Sequence, residues 1–298
     1  MQTTETLDHR FADVESWPTS EAVEAMLEGQ LSAIASLKSQ AAALTRAAEA
    51  AAGRLLDGGR LVYVGAGTSG RIAVQDGVEL LPTFGWPAER MVFVNAGGLA
   101  ALAVSAEGAE DDRDEAVRQL AGAGVGPKDV VIGVAASGRT PFTVSAVQWA
   151  CRAGALTIGV ANNAAAPLLD AAEFAILADT GSELIAGSTR MRAGTAQKAV
   201  LNILSTAIML RLGRVYRGLM VDMVVSNDKL AERARRMVSV ATGCDNGTAV
   251  RALEAAGNDI KTAILVARGL DLAEAAALLA RNGGVLRRAI EDHDGMAK

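Results

Sequence analysis

The chain has 298 residues, of which 50% are hydrophobic and 21% are charged, enough for one large domain or for a domain with a smaller partner. Its formal charge of −5 and its aromatic content of 3% argue against nucleic acid as a partner, because such surfaces are basic and often carry stacking side chains. No run of 18 apolar residues occurs, so we expect no membrane partner.

Histidine and cysteine are too scarce to suggest a metal site. The two histidines, His9 and His293, lie near the ends of the sequence, so a histidine metal site or a Ser-His-Asp triad within the domain is hard to build. The cysteines, Cys151 and Cys244, are far apart and predict reduced core thiols. The first ten residues lack the apolar segment of a signal peptide. We therefore predict a cytoplasmic protein without metal or cofactor, whose acid–base chemistry uses carboxylates, Lys or Tyr.

The first predicted elements are helical. Residues 20–57 are rich in alanine and predict one or two helices, with Thr19 or Ser20 as the N-cap and Gly58-Gly59 as the stop. We assign residues 1–58 to an N-terminal helical segment.

From Arg60 onward, short β-branched runs alternate with helical stretches. This alternation predicts right-handed βαβ crossovers and a parallel sheet, an α/β fold in which ligands bind at the carboxyl ends of the strands. Strand signals stop near Asp228, so residues 59–227 form the predicted sheet domain and 228–298 a small helical subdomain. In that subdomain, Asp271 and Glu274 predict a capping box, and Gly283-Gly284 predict a helix end. The predicted strands are 61–64, 91–94, 130–134, 156–160 and 174–177.

The loop after the first strand, GAGTSG at residues 65–70, fits the GxGxxG pattern at the start of a helix. Its glycines let the backbone approach an anion, and the helix N-terminus supplies N–H donors. A dinucleotide site also needs a carboxylate at the end of the second strand, where this sequence has Asn95. A nicotinamide-dependent oxidoreductase is therefore disfavoured, while a purely structural turn stays open.

The loop after the third strand repeats this chemistry. There Ser137-Gly138-Arg139 precedes Thr140 and Pro141, and proline suits a first helical turn. Two hydroxyl-bearing helix starts on neighbouring strands can converge on one phosphate. A third polar stretch, residues 180–198, carries more hydroxyls and cations than a connection needs, although a capped loop with solvated charges also explains it.

Two carboxylates are candidate catalytic groups. Glu79 lies among apolar residues just after the first loop, and an apolar pocket would raise the pKa of its carboxyl so that it could act as an acid near neutrality. Glu110 lies in an acidic run, EGAEDD at residues 107–112, which is also typical of a solvated surface.

Together these motifs resemble the bacterial N-acetylmuramic acid 6-phosphate etherases, in order from about residue 60 to about residue 290. The second glutamate lies within the matching run EGAED. The first glutamate is retained, but its neighbours are Val78, Leu80 and Leu81, where the family has Ser, Cys and Pro, and the N-terminal Thr4-Glu5 lacks the family's following Asn. The matching strings are GAGTSGR (65–71), PTFG (82–85), EGAED (107–111), AASGRTP (135–141), GSTRMRAGTAQK (187–198), LMVD (219–222) and ATGC (241–244).

The resemblance implies a sugar isomerase (SIS) domain of flavodoxin-like topology in a homodimer that splits the D-lactyl ether of its substrate. The implied products are N-acetylglucosamine 6-phosphate and D-lactate, formed during peptidoglycan recycling. The family's two active glutamates fall on Glu79 and Glu110, and the implied phosphate-binding hydroxyls are Ser69, Ser137 and Thr140. We also predict substrate contacts from Thr68, Gly138, Arg139 and Lys198. The candidate cations for the lactyl carboxylate are Arg71, Arg139, Arg190 and Lys198.

Two other functions are compatible with a sugar isomerase domain. One is a sugar-phosphate-sensing regulator such as the glucokinase regulatory protein, which has two such domains, whereas this sequence has one set of loops. The other is an aldose–ketose isomerase, which would release no lactate.

Overall fold

The computed structural model describes residues 3–104 and 106–296, apart from the side chain of Met296. This part of the chain contains five β-strands and twelve α-helices, which confirms the α/β class. The strands are β1 Leu61–Gly65, β2 Met91–Asn95, β3 Val130–Ala135, β4 Leu156–Ala161 and β5 Phe174–Leu177. The helices are α1 Thr19–Ser36, α2 Ala41–Leu56, α3 Gly67–Phe84, α4 Arg113–Gly122, α5 Pro141–Arg152, α6 Pro167–Ala171, α7 Arg192–Arg211, α8 Asp228–Thr242, α9 Asn246–Ala255, α10 Ile260–Ala267, α11 Leu272–Arg281 and α12 Leu286–Met296.

All five strands are parallel, in the order β2-β1-β3-β4-β5. Each strand lies where the sequence predicts it, and four of them extend one residue further at their carboxyl ends. From β1 the chain runs outward to β2 on one side and then to β3, β4 and β5 on the other. The direction of winding therefore reverses between β1 and β3, as in flavodoxin-like folds.

Alternate side chains of β1 enter different layers, as the two-residue period of a strand requires. Val62 and Val64 pack in a buried cluster with Leu120 of α4 and Phe142 of α5. Tyr63 points elsewhere, and its hydroxyl donates to a buried carboxylate of α3. Helices on the two faces thus shield the central strands and leave their carboxyl ends for loops.

The N-terminal helical stretch consists of α1 and α2, separated by a 3-10 turn at Leu37–Gln40. The predicted N-cap is wrong. Pro18 occupies that position with extended ψ, and Thr19 is already the first helical residue, so neither predicted side chain accepts a capping hydrogen bond.

The prediction that both cysteines lie in the core is wrong for Cys151, which is exposed. Cys244 is half-buried, and both thiols are free.

The chain divides into two compact units. The first, called here the sheet unit, comprises Met1–Gly77 and Glu89–Ile208. The second, called the helical unit, comprises Val78–Ala88 and Met209–Lys298. Two of the three divisions fall within α3 and α7, and the third falls within a 3-10 turn, Ala88–Arg90. The boundaries predicted at residues 58/59 and 227/228 remain predictions.

The helical unit has its own apolar core, to which α8 through α12 contribute. The predicted capping box is confirmed, since the Glu274 amide donates to Asp271 at 2.8 Å and the Asp271 amide donates to Glu274 at 3.0 Å. The helix ends at Arg281, and Gly283 and Gly284 follow with positive φ, as predicted. Within the described ranges, we find no helix with the length and apolar character needed to cross a bilayer.

Candidate functional site

The candidate site lies where the winding of the sheet reverses. Gly65 at the end of β1 is in register with Val134 of β3, so the loops that follow these strands leave the same edge side by side. Ligands of open α/β sheets bind at this edge, at the switch point. The structure therefore brings together the two loops that carry Thr68, Ser69, Ser137, Gly138, Arg139 and Thr140.

In the first loop the helix begins before the serine. Helix α3 starts at Gly67, which places Thr68 and Ser69 in its first turn, and the Ser69 side chain is buried. Strand and helix lie so close that a Cβ on Gly65 would be 2.8 Å from the Gly70 Cα, while a Cβ on Gly70 would overlap Asn95 Oδ1. The outer two glycines of the pattern thus allow close strand–helix packing, and the first turn keeps backbone N–H groups available to an anion.

In the second loop the serine stands before the helix. Ser137 Oγ accepts from the Arg139 amide at 3.1 Å, and Gly138 adopts φ +63°, where a Cβ would overlap that of Ala166. Pro141 is the first residue of α5, as predicted. Thr140 occupies the N-cap without a side-chain capping bond, so the cap makes no use of its hydroxyl.

The third polar stretch leads into α7, whose N-terminus is capped by a buried carboxylate. Glu183 is 1% exposed, and its two carboxylate oxygens accept from the amides of Arg192 and Ala193, each at 2.9 Å. These two amide donors are therefore already paired. Sequence reasoning missed this role, because a cap nine residues before the helix has no local sequence signature.

Helix α7 reaches the first loop. A Cβ on Gly194 would lie 3.8 Å from Thr68 Cγ2, so the first turn of α7 lies against the start of α3. Lys198 follows one turn later and is exposed. The predicted lysine is thus carried by a helix whose first turn contacts the first of the two loops.

The two arginines of the Ser-Gly-Arg motifs bind backbone carbonyls. Arg71 donates to Leu102 O at 2.9 Å and to Ala101 O at 3.2 Å, which fastens the chain beyond β2 to α3. Arg139 is exposed and makes one longer contact, 3.3 Å, to Ala165 O. Of the cations predicted for the lactyl carboxylate, Arg71 is therefore engaged in holding the fold, whereas Arg139, Arg190 and Lys198 are exposed.

Glu110 belongs to the sheet unit and follows β2, the neighbour of β1. It lies exposed in a 3-10 turn, Ala109–Asp111, just before the N-cap of α4. Gly97 has φ +76°, and a Cβ there would crowd Ala101, Ala106 and Ala109, so the segment folds closely over the end of β2. The acidic run has a local role as well, because Asp112 accepts from the Glu115 amide at 2.8 Å and caps α4.

Glu79 lies in the helical unit, in the later turns of α3, and its side chain is exposed. The apolar surroundings expected from its neighbours are therefore not found. Leu80 is 2% exposed, but Val78 and Leu81 are 52% and 40% exposed. Successive residues of a helix point about 100° apart, so apolar neighbours in sequence do not bury a glutamate on the outer face.

The segment after Glu79 is held by Arg214 of the same unit. Its Nη1 donates to Phe84 O at 3.2 Å and to Gly85 O at 3.1 Å, and its guanidinium lies 5.7 Å from the Trp86 ring centroid. Arg214 Nε is also 3.8 Å from the carboxylate of Asp222.

Asp222 in turn pairs with Lys261 at 2.5 Å. Burial raises the pKa of Asp222, and the neighbouring Lys261 and Arg214 oppose that shift. The matched string LMVD thus supplies a half-buried carboxylate that supports the chain carrying Glu79.

Asp76, near the middle of α3, links that helix to its neighbours within the sheet unit. Its carboxylate accepts from Tyr63 at 2.6 Å, from Asn202 at 2.6 Å and from Ser205 at 3.1 Å. Burial and the adjacent Asp76 raise the pKa of Tyr63 well above its usual range. These bonds join β1, α3 and α7 beneath the candidate site, which fixes the orientation of the helix that bears Ser69.

The N-terminal Thr4 is buried against the end of β4. Its amide donates to Asn163 Oδ1 at 3.3 Å, and its hydroxyl accepts from Asn163 Nδ2 at 3.0 Å. Its carbonyl accepts from the Gly187 amide at 3.0 Å, so the N-terminal segment holds the third polar stretch. A threonine so far from its partners in sequence cannot be assigned this role by local pattern.

In the described part of the chain, no three His, Cys, Asp or Glu side chains are grouped so that they could hold a metal ion. Hydroxyls, backbone N–H groups and exposed cations thus make up the predicted binding loops. This donor set suits an anionic oxygen ligand such as a phosphate ester.

Comparison with known proteins gives consistent relatives. A protein from Deinococcus radiodurans named N-acetylmuramic acid 6-phosphate etherase is 47% identical over 294 residues, which is 98% of this chain and 96% of that protein. One of the same name from Symbiobacterium thermophilum is 54% identical over 222 residues, 74% of each chain. The family model of the glucokinase regulatory protein N-terminal SIS domain matches residues 43–151.

Among solved structures, a Bacteroides fragilis protein described as a phosphosugar isomerase involved in capsule formation superimposes with a TM-score of 0.54. It is 20% identical and covers 67% of this chain and 95% of its own. This likeness extends to the fold alone and confirms the SIS-type architecture of the sheet.

Proposed function

This chain belongs to the N-acetylmuramic acid 6-phosphate etherase family, and we propose that it cleaves the D-lactyl ether of N-acetylmuramic acid 6-phosphate to N-acetylglucosamine 6-phosphate and D-lactate. The observation that carries this proposal is 47% identity along 98% of the chain to a protein named for that reaction. The proposed setting is the recycling of cell-wall sugars in the cytoplasm.

The 6-phosphate is proposed to bind at the switch point of the sheet. Ser69, Ser137 and Thr140 would donate hydroxyl hydrogens to the phosphate oxygens, and Thr68 and Gly138 lie in the same two loops. The Gly138 amide itself donates to Ala135 O at 3.0 Å. The cations Arg139 and Lys198 are exposed, and neither forms an ion pair within 4 Å in the described ranges, so both can turn toward a dianion.

The reaction is an elimination followed by addition of water. In the open-chain form, the C1 carbonyl makes the C2 proton acidic, so a base can remove it. An acid then protonates the lactyl oxygen as the C3–O bond breaks, which leaves a C2–C3 double bond. Water adds across this bond, with its oxygen at C3 and a proton returning to C2. Two carboxylates are sufficient for these steps, and we propose Glu79 and Glu110.

The sequence neighbours of Glu79 suggested the acid role for this residue, with Glu110 as the base. The exposed Glu79 side chain removes that argument, although the pair remains the proposal. The two roles differ in one measurable respect, because only loss of the base stops exchange of the C2 proton.

The direct experiment is incubation of the purified chain with N-acetylmuramic acid 6-phosphate and an enzymatic assay for free D-lactate. We expect stoichiometric lactate, little turnover of N-acetylmuramic acid without its phosphate, and unchanged activity after dialysis against a chelator. Binding of a sugar phosphate without lactate would favour a regulator, and ketose formation would favour an isomerase. Equal turnover of the two sugars would contradict the phosphate site.

The chain is also proposed to act as a homodimer. Helix α1 presents one exposed apolar stripe at helical spacing, formed by Val23, Leu27, Leu31 and Ile34, of which Leu31 is 72% exposed. Leu31→Glu should shift sedimentation at micromolar concentration toward the monomer. Leu56→Glu, at a residue 65% exposed on α2, is the matched control that should leave the dimer intact. A monomeric wild-type chain would refute the proposal.

A further inference from the structure

The helical unit contains a cleft that the proposed reaction does not use. It lies along α8 and has a volume of about 610 Å³, within the range of small-molecule pockets. Lys229, Arg233 and Arg236 line it on one side. The spacing of four and then three residues places these three cations on one face of the helix.

The charge of this cleft is unusual for the chain. Three cations and one carboxylate, Glu232, give a formal charge of +2, whereas the whole chain carries −5. A second cleft on α8 has Asp228 and Glu232 against Arg235 and Arg236, so its formal charge is zero. Helix α8 as a whole has four cations and two carboxylates, which also gives +2, and the first cleft brings together three of those four cations with one carboxylate.

The cations of this cleft are not used by the fold. Over residues 3–104 and 106–296, no ion pair within 4 Å involves Lys229, Arg233 or Arg236, although Glu232 is one turn from two of them. Elsewhere in the helical unit, Arg268 pairs with Asp294 at 2.7 Å. The donors of the three cleft cations are thus available to a ligand.

The remaining lining is apolar and adaptable. Met237 is 5% exposed, and Met220 is half-buried beside it. Gly218 also lines the cleft. It has φ +77°, and a Cβ at this position would meet no atom within 4 Å. Methionine side chains adjust to irregular apolar shapes, which suits the less polar face of a sugar ring or an acetamido methyl group.

We infer that this cleft binds a phosphorylated sugar, with its phosphate on Arg233, Arg236 and Lys229 and its ring against Met220 and Met237. A phosphate dianion matches the net charge of +2, and guanidinium groups bind phosphate oxygens in pairs. The choice of a sugar phosphate rests on the proposed function, which makes substrate and product members of that class. The site itself is built from residues of the helical unit alone.

The first test is an arginine footprint of the full chain. Phenylglyoxal modifies accessible guanidinium groups, and mass spectrometry reports each arginine separately. N-acetylglucosamine 6-phosphate should protect Arg233 and Arg236, while Arg235 on the same helix stays reactive. N-acetylglucosamine without phosphate should protect none of them. Protection by inorganic phosphate equal to that by the sugar phosphate would overturn the sugar-binding claim, and equal protection of all three arginines would overturn the site.

The second test is binding by the double variant Arg233→Gln/Arg236→Gln, with Arg235→Gln as its control. Loss of two charge-assisted contacts should weaken the binding event at this cleft at least about tenfold in calorimetry with N-acetylglucosamine 6-phosphate. The control should stay within about twofold of the wild type. Unchanged binding by the double variant contradicts the inference. Lactate release without protection of Arg233 and Arg236 would contradict ligand binding in this cleft and support the proposed function. Protection of these arginines without lactate release would support the cleft and contradict the proposed function.

Discussion

The two ends of the strand pair β1 and β3 are built in opposite ways. At the amino end, Arg60 donates to Asp129 through its amide at 2.9 Å, Nε at 3.1 Å and Nη2 at 2.7 Å, and also to two carbonyls of the preceding loop. At the carboxyl end, the loops carry Ser69, Ser137 and Thr140, and the Thr140 hydroxyl makes no capping bond. One end is closed by internal pairing, while the other keeps polar groups for a ligand.

This contrast separates stability from function along the same two strands. The Asp129 side chain is 7% exposed, and its carboxylate also accepts from the Gly126 amide at 3.0 Å, so removing it leaves the Arg60 guanidinium with backbone carbonyls as its partners. At the carboxyl end, polar groups that satisfied one another would have none left for a phosphate. Residues at the two ends should therefore respond differently to substitution, and the predictions below test that difference.

The largest effect on folding is expected at the amino end. Asp129→Ala should lower the free energy of unfolding by about 3 kcal/mol, because it breaks a mostly buried ion pair and leaves the Arg60 charge without a carboxylate partner. Denaturant unfolding measures the loss, and kcat/KM at a temperature where the variant is folded should match the wild type. Asp57→Ala, which removes an exposed carboxylate, should change stability by less than about 0.5 kcal/mol. A large loss of kcat/KM in folded Asp129→Ala would contradict the proposed separation of stability from function.

The second-largest loss of unfolding free energy is expected on substitution of Gly70 in the first loop. Gly70→Ala places a Cβ against Asn95 Oδ1 and 3.0 Å from the Gly65 carbonyl carbon, so strand and helix must separate. We expect a loss of about 2 kcal/mol in unfolding free energy and a higher KM, because the loop moves with the helix. Gly67→Ala meets no neighbour within 4 Å but requires φ +53°, and should lose only about 1 kcal/mol. Equal stability of the two variants would contradict the close-packing account.

Ser137→Ala tests the carboxyl end without disturbing the fold. Loss of one hydroxyl partner of a desolvated phosphate should cost about 1 to 3 kcal/mol of binding, read as KM or as the Kd of N-acetylglucosamine 6-phosphate. Its unfolding free energy should stay within about 0.5 kcal/mol of the wild type. Ser145→Ala, on the second turn of α5, is the control that should keep substrate affinity. A Ser137→Ala variant that lost stability but kept substrate affinity would contradict the proposed difference between the amino and carboxyl ends of β1 and β3.

The smallest expected effect is the change with pH in the stability that Asp129 contributes. Burial tends to raise the pKa of Asp129, but hydrogen bonds from Arg60 and Gly126 outweigh it, so the pKa lies below the usual value. A lowered carboxyl pKa contributes stability above the unfolded value of about 3.9 and loses it as pH falls toward the folded value. The stability difference between wild type and Asp129→Ala should therefore stay nearly constant from pH 7 to about pH 5 and shrink as the pH falls below about 4. A difference that grows on acidification would reverse the sign of this argument.

The sheet could be predicted from sequence because its signals are local. Buried parallel strands read as short β-branched runs, and all five appear within one residue of the expected bounds. The two Ser-Gly-Arg loops were predicted as neighbours, and the strand order places them side by side. Pro141 and the Asp271–Glu274 capping box follow from patterns spanning a few residues.

The remaining features depend on distant contacts. Glu183 caps a helix nine residues away, and Thr4 pairs with Asn163 across 159 positions. The expectation that Glu79 is buried is wrong for a related reason. The position of a residue around the helix and the packing of that helix determine its exposure, and its sequence neighbours do not. The unequal roles of Arg71 and Arg139 also require the folded chain, because identical tripeptides meet different carbonyls.

The most direct test of the proposed chemistry compares Glu79→Gln with Glu110→Gln in heavy water. For each variant, D-lactate release and exchange of the C2 hydrogen of N-acetylmuramic acid 6-phosphate are followed in the same reaction. Loss of a positioned acid or base should slow lactate release by about 10²- to 10⁴-fold. We expect that one variant still exchanges C2 hydrogen while releasing almost no lactate, and that the other loses both. Lactate release at the wild-type rate from both variants would remove these glutamates from the mechanism.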